Sequence, residues 1–205
     1  QLGQYTLLEK VGAGGRGEVY RASHAMLRRP TAVKLLPPGK SGEAGLRRFE
    51  REVQLTAILT HPNRVHVYDY GRTPEGVFYY AMEYLEGVNL DDLVQEDGPQ
   101  CPARVARILE QVCGALAEAH GIGLIHRDVK PANIILCERG GRSDVAKILD
   151  FGLVRELHTD GALDLTQAGA IAGTPRFLSP EAIRTPNDVD GRSDLYSQGA
   201  VAFYL

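Results

Sequence analysis

A short stretch of the chain, LIHRDVKPANIIL from Leu124 to Leu136, places five polar side chains between two apolar runs. Buried polar groups cost free energy unless they have partners, so these side chains should serve one another or a ligand. The carboxylate of Asp128 can orient an attacking hydroxyl and accept its proton. Lys130 can neutralise the charge of a phosphoryl group in transit. The loop is therefore a candidate for phosphoryl transfer.

A second acidic position follows in the tripeptide DFG, where Asp150 lies seventeen residues after Asn133. An amide oxygen and a carboxylate are the hard oxygen ligands that Mg²⁺ prefers. Packing of a hydrophobic core explains none of this spacing. We therefore predict that Asn133 and Asp150 hold a metal ion.

The glycine-rich stretch VGAGGRGEV fits the pattern G-x-G-x-x-G-x-V with Gly12, Gly14, Gly17 and Val19. Glycines let the backbone approach a phosphate and direct N–H groups at it. A tight structural hairpin would need glycines too, and the pattern alone does not separate the two interpretations. The β-prone EVYRASH that follows argues against a Rossmann dinucleotide site, and the absence of G-K-[ST] argues against a P-loop.

Lys34 lies in the apolar run TAVKLL, where a lysine needs a counter-charge. The helix predicted from Glu43 to Leu59 offers Glu50 and Glu52, and we choose Glu52 because it lies nine residues before His61. Two solvated charges would be the ordinary outcome for such a pair. The other motifs favour an ion pair that positions Lys34 on the phosphates of a nucleotide.

In this order the motifs GAGGRG, AVK, HRDVKPAN, DFG and SPE, which replaces the usual APE, resemble those of the protein kinase superfamily from Tyr5 to Leu205. The sequences GGRGEVYRA, HPNRV, DVKPANIIL and GTPRFLSPE are most similar to the corresponding motifs of bacterial Ser/Thr kinases of the eukaryotic-like kind. The resemblance implies an α+β bilobal fold. Residues 1–86 would form a small N-lobe with a five-stranded sheet and one helix, and residues 87–205 an incomplete, mostly helical C-lobe.

The same resemblance implies a Ser/Thr protein kinase that uses ATP and Mg²⁺, with Mn²⁺ as an alternative. Asp128 would be the base, Lys130 the phosphate stabiliser, and Lys34 a phosphate ligand braced by Glu52. Thr174 would touch the catalytic Asp and Lys and favour a hydroxyl-bearing substrate. Met82 would be the gatekeeper of the adenine site. The nucleotide-binding positions would be Val11, Gly12, Gly14, Gly17, Val19, Ala32, Lys34, Met82, Glu83 and Leu85.

Control of the kinase would fall on the segment between Asp150 and Glu181. Arg127, next to Asp128, would hold a phosphate added there. Thr166 is the preferred phosphosite and Thr159 the second, while a merely solvated threonine stays an open alternative. The resemblance also implies that Asp194 accepts hydrogen bonds from the HRD backbone.

Composition agrees with a globular enzyme. The 205 residues carry a net charge of −3, which argues against a nucleic-acid partner. No apolar run is long enough to cross a bilayer. The three cysteines show no metal-ligand spacing and suit a reducing cytoplasm. The expected partners are protein substrates, ATP and a second copy for trans-autophosphorylation, and a membrane anchor beyond this chain stays open for the parent protein.

Two other functions stay open. A pseudokinase scaffold is disfavoured by the intact Lys34, Asp128, Asn133 and Asp150, and an antibiotic-type phosphotransferase is disfavoured by the GTP…SPE segment. The chain ends partway through the expected central helix of the C-lobe, so we expect a fragment of a longer protein. Glu181 should then be a buried carboxylate without the late arginine that pairs with it. The stretch from Leu124 to Pro180 is predicted to be loop-rich, with two very short β-runs.

Overall fold

The computed structural model describes residues 2–14, 17–36, 53–73, 76–149, 175–185 and 188–205. These residues form two compact units. The first contains the described residues up to Ile58 together with Val65–Leu85. The second contains Leu59–Arg64 and the described residues from Glu86 onward.

The first unit is built on a five-stranded antiparallel sheet in the order β1-β2-β3-β5-β4. Its strands are β1 (Tyr5–Gly14), β2 (Gly17–His24), β3 (Pro30–Leu35), β4 (Val67–Arg72) and β5 (Phe78–Glu83). One face of the sheet carries a buried cluster of Tyr5, Ala22, Val33, Tyr79 and Ala81. Residues 53–58 are helical (α1). Between β4 and β5 the N–H of Gly76 donates to the carbonyl of Thr73 at 2.9 Å.

The second unit joins helices to a three-stranded sheet in the order β6-β7-β8. Its elements are β6 (Gly87–Asn89), α2 (Leu90–Asp97), α3 (Pro102–Gly121), β7 (Ile134–Arg139), β8 (Arg142–Ile148), α4 (Pro180–Arg184) and α5 (Gly191–Tyr204). The side chain of Asn89 caps α2 by accepting the N–H groups of Asp91 and Asp92, and Pro102 opens α3. The apolar stripe of α3 lies in the core, with Ile108, Val112, Ala115 and Leu116 fully buried.

The β7–β8 hairpin differs from the two very short β-runs expected there. The strands hold six and seven residues. Gly140 and Gly141 both have positive φ, 57° and 72°, and Arg139 pairs with Arg142 around them. A two-residue turn with two positive φ angles matches the twist of an antiparallel pair, which explains why the strands continue to the turn.

Candidate active site

One face of the first unit's sheet brings together four of the predicted nucleotide-site side chains. Val19 pairs with Lys34 across β2 and β3, and Ala32 pairs with Met82 across β3 and β5. Directly paired and alternate residues point to the same face, so Val19, Ala32, Lys34 and Met82 share the face opposite the buried cluster. The side chain of Lys34 is only 5% exposed, and its Nζ lies 5.7 Å from the centroid of the Tyr80 ring.

Gly17 and Gly12 in the glycine-rich turn differ in whether the fold itself requires a glycine. Gly17 has φ 114°, and a Cβ there would collide with the carbonyl oxygen of Leu35. Gly17 is therefore required by the fold itself. At Gly12 a Cβ would meet only Cβ of Val19, at an ordinary 4.0 Å. Since packing does not require a glycine at Gly12, the open backbone there fits the close approach of a phosphate.

This contrast gives a testable pair of variants. Gly17→Ala should lower the thermal midpoint, because it combines a strained φ with a backbone collision. Gly12→Ala should leave the midpoint nearly unchanged and raise the KM for ATP about tenfold, the equivalent of about 1.4 kcal/mol. Thermal unfolding and steady-state kinetics check both. Equal loss of stability in the two variants would mean that Gly12 serves only the hairpin.

The chain leaves β5 at Glu83, one of the predicted nucleotide-binding positions. The N–H of Glu83 donates to the carbonyl of His66 at 2.8 Å, and the Glu83 carboxylate lies 3.4 Å from Nδ1 of His66. Residues 84–86 have no regular structure. The backbone groups of Leu85 and its neighbours are therefore not engaged in a strand ladder, which suits a segment that meets an adenine base.

In the second unit, the loop from His126 to Asn133 carries the predicted catalytic residues, and we call it the catalytic loop. It is held by Asp194 at the start of α5. The side chain of Asp194 is 1% exposed. Its Oδ2 accepts the N–H of His126 and its Oδ1 the N–H of Arg127, both at 2.8 Å. Arg127 has φ 62°, a strained conformation for a non-glycine residue that persists only where its surroundings hold it. The expected role of Asp194 is confirmed by these two hydrogen bonds.

The side chains of Asn133 and Lys130 both contact one carboxylate oxygen, Oδ2 of Asp128. Oδ2 of Asp128 accepts Nδ2 of Asn133 at 2.7 Å and lies 3.1 Å from Nζ of Lys130. The same Asn133 nitrogen donates to the carbonyl of Asp128 at 2.8 Å. Because the amide nitrogen is turned toward Asp128, the amide oxygen of Asn133 is the atom that could bind a cation. A hard oxygen ligand of this kind fits Mg²⁺.

Histidines contribute more to this site than the sequence indicated. Nδ1 of His126 accepts the N–H of Asp128 at 3.2 Å, so its Nε2 carries the proton that bonds the carbonyl of Leu149 at 2.7 Å. Nε2 of His120 lies 2.7 Å from Oδ2 of Asp194. The burial of His126 was signalled by its apolar flanks, but the partner of His120 lies 74 positions along the chain and leaves no local pattern.

Five predicted site residues lie outside the described part of the chain: Glu52, Asp150, Thr159, Thr166 and Thr174. Their roles stay predictions. Within the described ranges, no three His, Cys, Asp or Glu side chains cluster as a metal site. This is compatible with the predicted ligand pair, since one member is an amide and the other lies outside those ranges.

The expectation for Glu181 was wrong. The residue is half-buried and has a partner, because the hydroxyl of Ser193 donates to its Oε1 at 2.6 Å. Ser179 donates in turn to Ser193 at 3.0 Å. The Ser193 hydrogen bond holds the pKa of Glu181 below its usual range, with backbone N–H bonding adding to the effect.

This pKa shift predicts how stability depends on pH. A carboxyl whose pKa is lower in the folded chain stabilises the fold above its unfolded pKa of about 4.3 and loses that contribution as the pH falls through the folded value. Ser193→Ala should therefore lower the thermal midpoint most near neutral pH, with a difference from wild type that shrinks below pH ~4. Ser143→Ala, on an exposed position of β8, is the control. A difference independent of pH would contradict the assignment.

The fold and the site together define the class of protein. Residues 5–205 match the protein kinase domain family, and the chain belongs to that family. The family uses ATP and a divalent metal ion. No helix in the described ranges is long and apolar enough to span a membrane.

Its relatives are bacterial Ser/Thr kinases. Serine/threonine-protein kinase pkn3 of Myxococcus xanthus is 39% identical over 204 residues, and PknB of Mycobacterium tuberculosis is 42% identical over 204 residues. Each alignment covers 98% of this chain but only 37% and 32% of those proteins, about a third of their length. The crystal structure of the Mycobacterium tuberculosis PknI kinase domain gives a TM-score of 0.78 at 31% identity, covering 100% of this chain and 75% of that one. The bilobal kinase fold, with a β-rich lobe and a mostly helical lobe, is thereby confirmed.

Proposed function

We propose that the protein is an ATP- and Mg²⁺-dependent Ser/Thr protein kinase that transfers the γ-phosphoryl group to hydroxyls of proteins. The observation that carries the proposal is the geometry at Asp128. Its carboxylate is fixed by Asn133 and Lys130 on a loop whose backbone is bonded to the buried Asp194. An oriented carboxylate beside a cation is what proton acceptance from a hydroxyl and charge neutralisation on a phosphate require.

The chain's own groups divide the work of phosphoryl transfer, which depends on positioning and electrostatics. Asp128 orients the substrate hydroxyl and takes its proton, and Lys130 offsets negative charge on the transferred group. Lys34 would bind the α- and β-phosphates with Glu52 as its counter-charge, and Thr174 would contact the catalytic Asp128 and Lys130. Asn133 and Asp150 would hold Mg²⁺, which neutralises phosphate charge when bound.

The adenine and ribose would bind on the open face of the first unit's sheet. Val19, Ala32 and Met82 supply the apolar surface there, since they share one face with Lys34. The backbone at Glu83–Leu85, where β5 ends and regular structure stops, would meet the edge of the base. Backbone N–H groups of the glycine turn would contact the phosphates, as the space at Gly12 allows.

We further assign the segment between Asp150 and Glu181 as the protein's own substrate, with Thr166 as the first site and Thr159 as the second. Arg127 would bind the added phosphate. Two copies would phosphorylate each other in a transient dimer. The kinase domain would act in the cytoplasm, where ATP is supplied and thiols such as Cys137 stay reduced.

The test is to incubate the full-length protein with ATP and Mg²⁺ and to locate phosphate by mass spectrometry. We expect phosphate on Thr166 or Thr159 and none in Asp150→Asn. A rate that rises with the square of protein concentration supports reaction between copies. If the folded protein gained no phosphate and turned over no ATP, a nucleotide-independent scaffold would replace the kinase proposal.

A further inference from the structure

Residues 59–64, the segment between α1 and β4, lie within the second unit rather than the first. We call them the 59–64 loop. The loop is fixed to one face of α3, because Gln111, Gly114 and Glu118 follow one another at spacings of three and four residues. None of these three residues takes part in the proposed reaction.

Glu118 and Gly114 of α3 contact Thr60 and His61, near the start of the 59–64 loop. The carboxylate of Glu118 accepts three hydrogen bonds of 2.9 Å, from the N–H and hydroxyl of Thr60 and from the N–H of His61. A Cβ at Gly114 would lie 2.7 Å from Nε2 of His61. The imidazole therefore occupies the space that a side chain at Gly114 would need.

Asn63, near the end of the 59–64 loop, and Gln111 of α3 bond to the edge of β8 that lies opposite β7. Nδ2 of Asn63 donates to Oε1 of Gln111 and to the carbonyl of Ala146, both at 2.8 Å. The same Oε1 accepts the N–H of Ala146 at 3.1 Å, and Nε2 of Gln111 donates to the carbonyl of Asp144 at 2.9 Å. The carbonyl of Asn63 accepts the N–H of Ile148 at 2.9 Å. Two amide side chains thus replace the missing neighbouring strand.

The end of β8 that is held in this way is bonded directly to the catalytic loop. The N–H of Leu149 donates to the carbonyl of Asn133 at 2.9 Å, and its carbonyl accepts Nε2 of His126 at 2.7 Å. Asp150 is the next residue in the chain. A shift of β8 along its edge would therefore displace Asn133, the proposed cation ligand, through one hydrogen bond.

We infer that Asn63 and Gln111 are positioning residues for phosphoryl transfer, which set the place of the metal-binding end of β8 against the catalytic loop. The inference rests on the proposed kinase function for its link to metal binding. Neither residue touches the reacting atoms. Each acts through the backbone of residues 146–149, as outer ligands act on a metal site through the groups that they orient.

The decisive variant is Asn63→Asp. Aspartate has nearly the same size as asparagine, but a carboxylate oxygen takes the place of the donor Nδ2. That oxygen would face two acceptors, Oε1 of Gln111 and the carbonyl of Ala146. In the full-length protein we expect the Mg²⁺ concentration for half-maximal activity to rise about tenfold. The KM for a peptide substrate should stay within about twofold, because the inferred displacement acts on the proposed metal ligand Asn133.

Two further variants keep the test decisive if Asn63→Asp folds poorly. Asn63→Ala removes the donor without adding charge and should still raise the Mg²⁺ requirement. Gln111→Glu keeps the two accepting bonds and loses the donations from Nε2 to the carbonyls of Asp144 and Arg107, so it should raise the Mg²⁺ requirement in the same direction. Gln95→Glu makes the same change of group at an exposed position of α2 and should match wild type.

A purely structural role predicts a different result. Unfolding of part of the sample would lower kcat and the thermal midpoint while leaving the Mg²⁺ requirement of the folded fraction unchanged, and that outcome would overturn the inference. Failure of the kinase proposal is distinguishable, because wild type itself would then transfer no phosphate. In that event, binding of a non-hydrolysable ATP analogue with and without Mg²⁺ gives the same comparison, and an unchanged Mg²⁺ dependence in Asn63→Ala would reject the positioning role.

Discussion

Asp128→Asn is expected to lower kcat by about 10³-fold, within the range that a positioned proton acceptor contributes, which corresponds to about 4 kcal/mol of transition-state stabilisation. The amide keeps the volume of the side chain and an oxygen that Nδ2 of Asn133 can still reach. It cannot accept the proton of the substrate hydroxyl, and it removes the negative charge beside Lys130. The KM for ATP should change little, because the residues predicted to bind the adenine lie on the sheet of the first unit.

Steady-state kinetics with thermal unfolding on the same samples checks this expectation. Asp97→Asn is the matched control, since it makes the same change on an exposed position of α2. A thermal midpoint near that of wild type would show that the loss is chemical. A kcat reduced by less than tenfold with the fold intact would show that Asp128 is not the proton acceptor.

Asp194→Asn should have the largest effect on stability. The carboxylate serves three donors in a site that is almost fully buried: the N–H groups of His126 and Arg127, and the ring of His120. An amide presents one oxygen and directs its NH₂ group at one of those donors. Leaving a buried donor unsatisfied costs about 1–3 kcal/mol, and a further hydrogen bond is weakened. The thermal midpoint should fall by on the order of 10 °C.

Activity should fall together with stability in this variant, because Arg127 keeps its strained φ only while its N–H is held. Asp188→Asn, exposed in the connection before α5, is the control and should behave as wild type. Hydrogen exchange at His126 and Arg127 provides a direct check. Unchanged protection of both amides would show that Asp194 does not anchor the loop.

The chemistry of the site was predictable because its residues lie close together in the sequence. Asp128, Lys130 and Asn133 lie within six consecutive residues, and a 3₁₀ turn at Pro131–Asn133 brings the ends of that stretch together. The apolar periodicity of α3 and the β-rich runs of the first unit were equally local. Such features depend on neighbours in the chain, so the sequence shows them without knowledge of the fold.

The supports of the site were not predictable in the same way. Asn63 meets Gln111 across 48 positions and Ala146 across 83. The local sequence His-Pro-Asn does not predict that the amide of Asn63 bonds to the edge of a strand. The partner of Glu181 was missed for a related reason, since Ser193 lies one helix away and a serine carries no distinctive pattern. Long-range polar pairs emerge only when packing has set the distances.

The most direct test of the central claim follows the γ-phosphoryl group of labelled ATP in the presence of the full-length protein and Mg²⁺. The products are separated into phosphoserine and phosphothreonine in protein, and inorganic phosphate. The account predicts label on serine or threonine at a rate well above phosphate release, with transfer about 10³-fold slower in Asp128→Asn and strongly reduced in Lys34→Met. Label found only as inorganic phosphate, or transfer near the wild-type rate in Asp128→Asn, would contradict it.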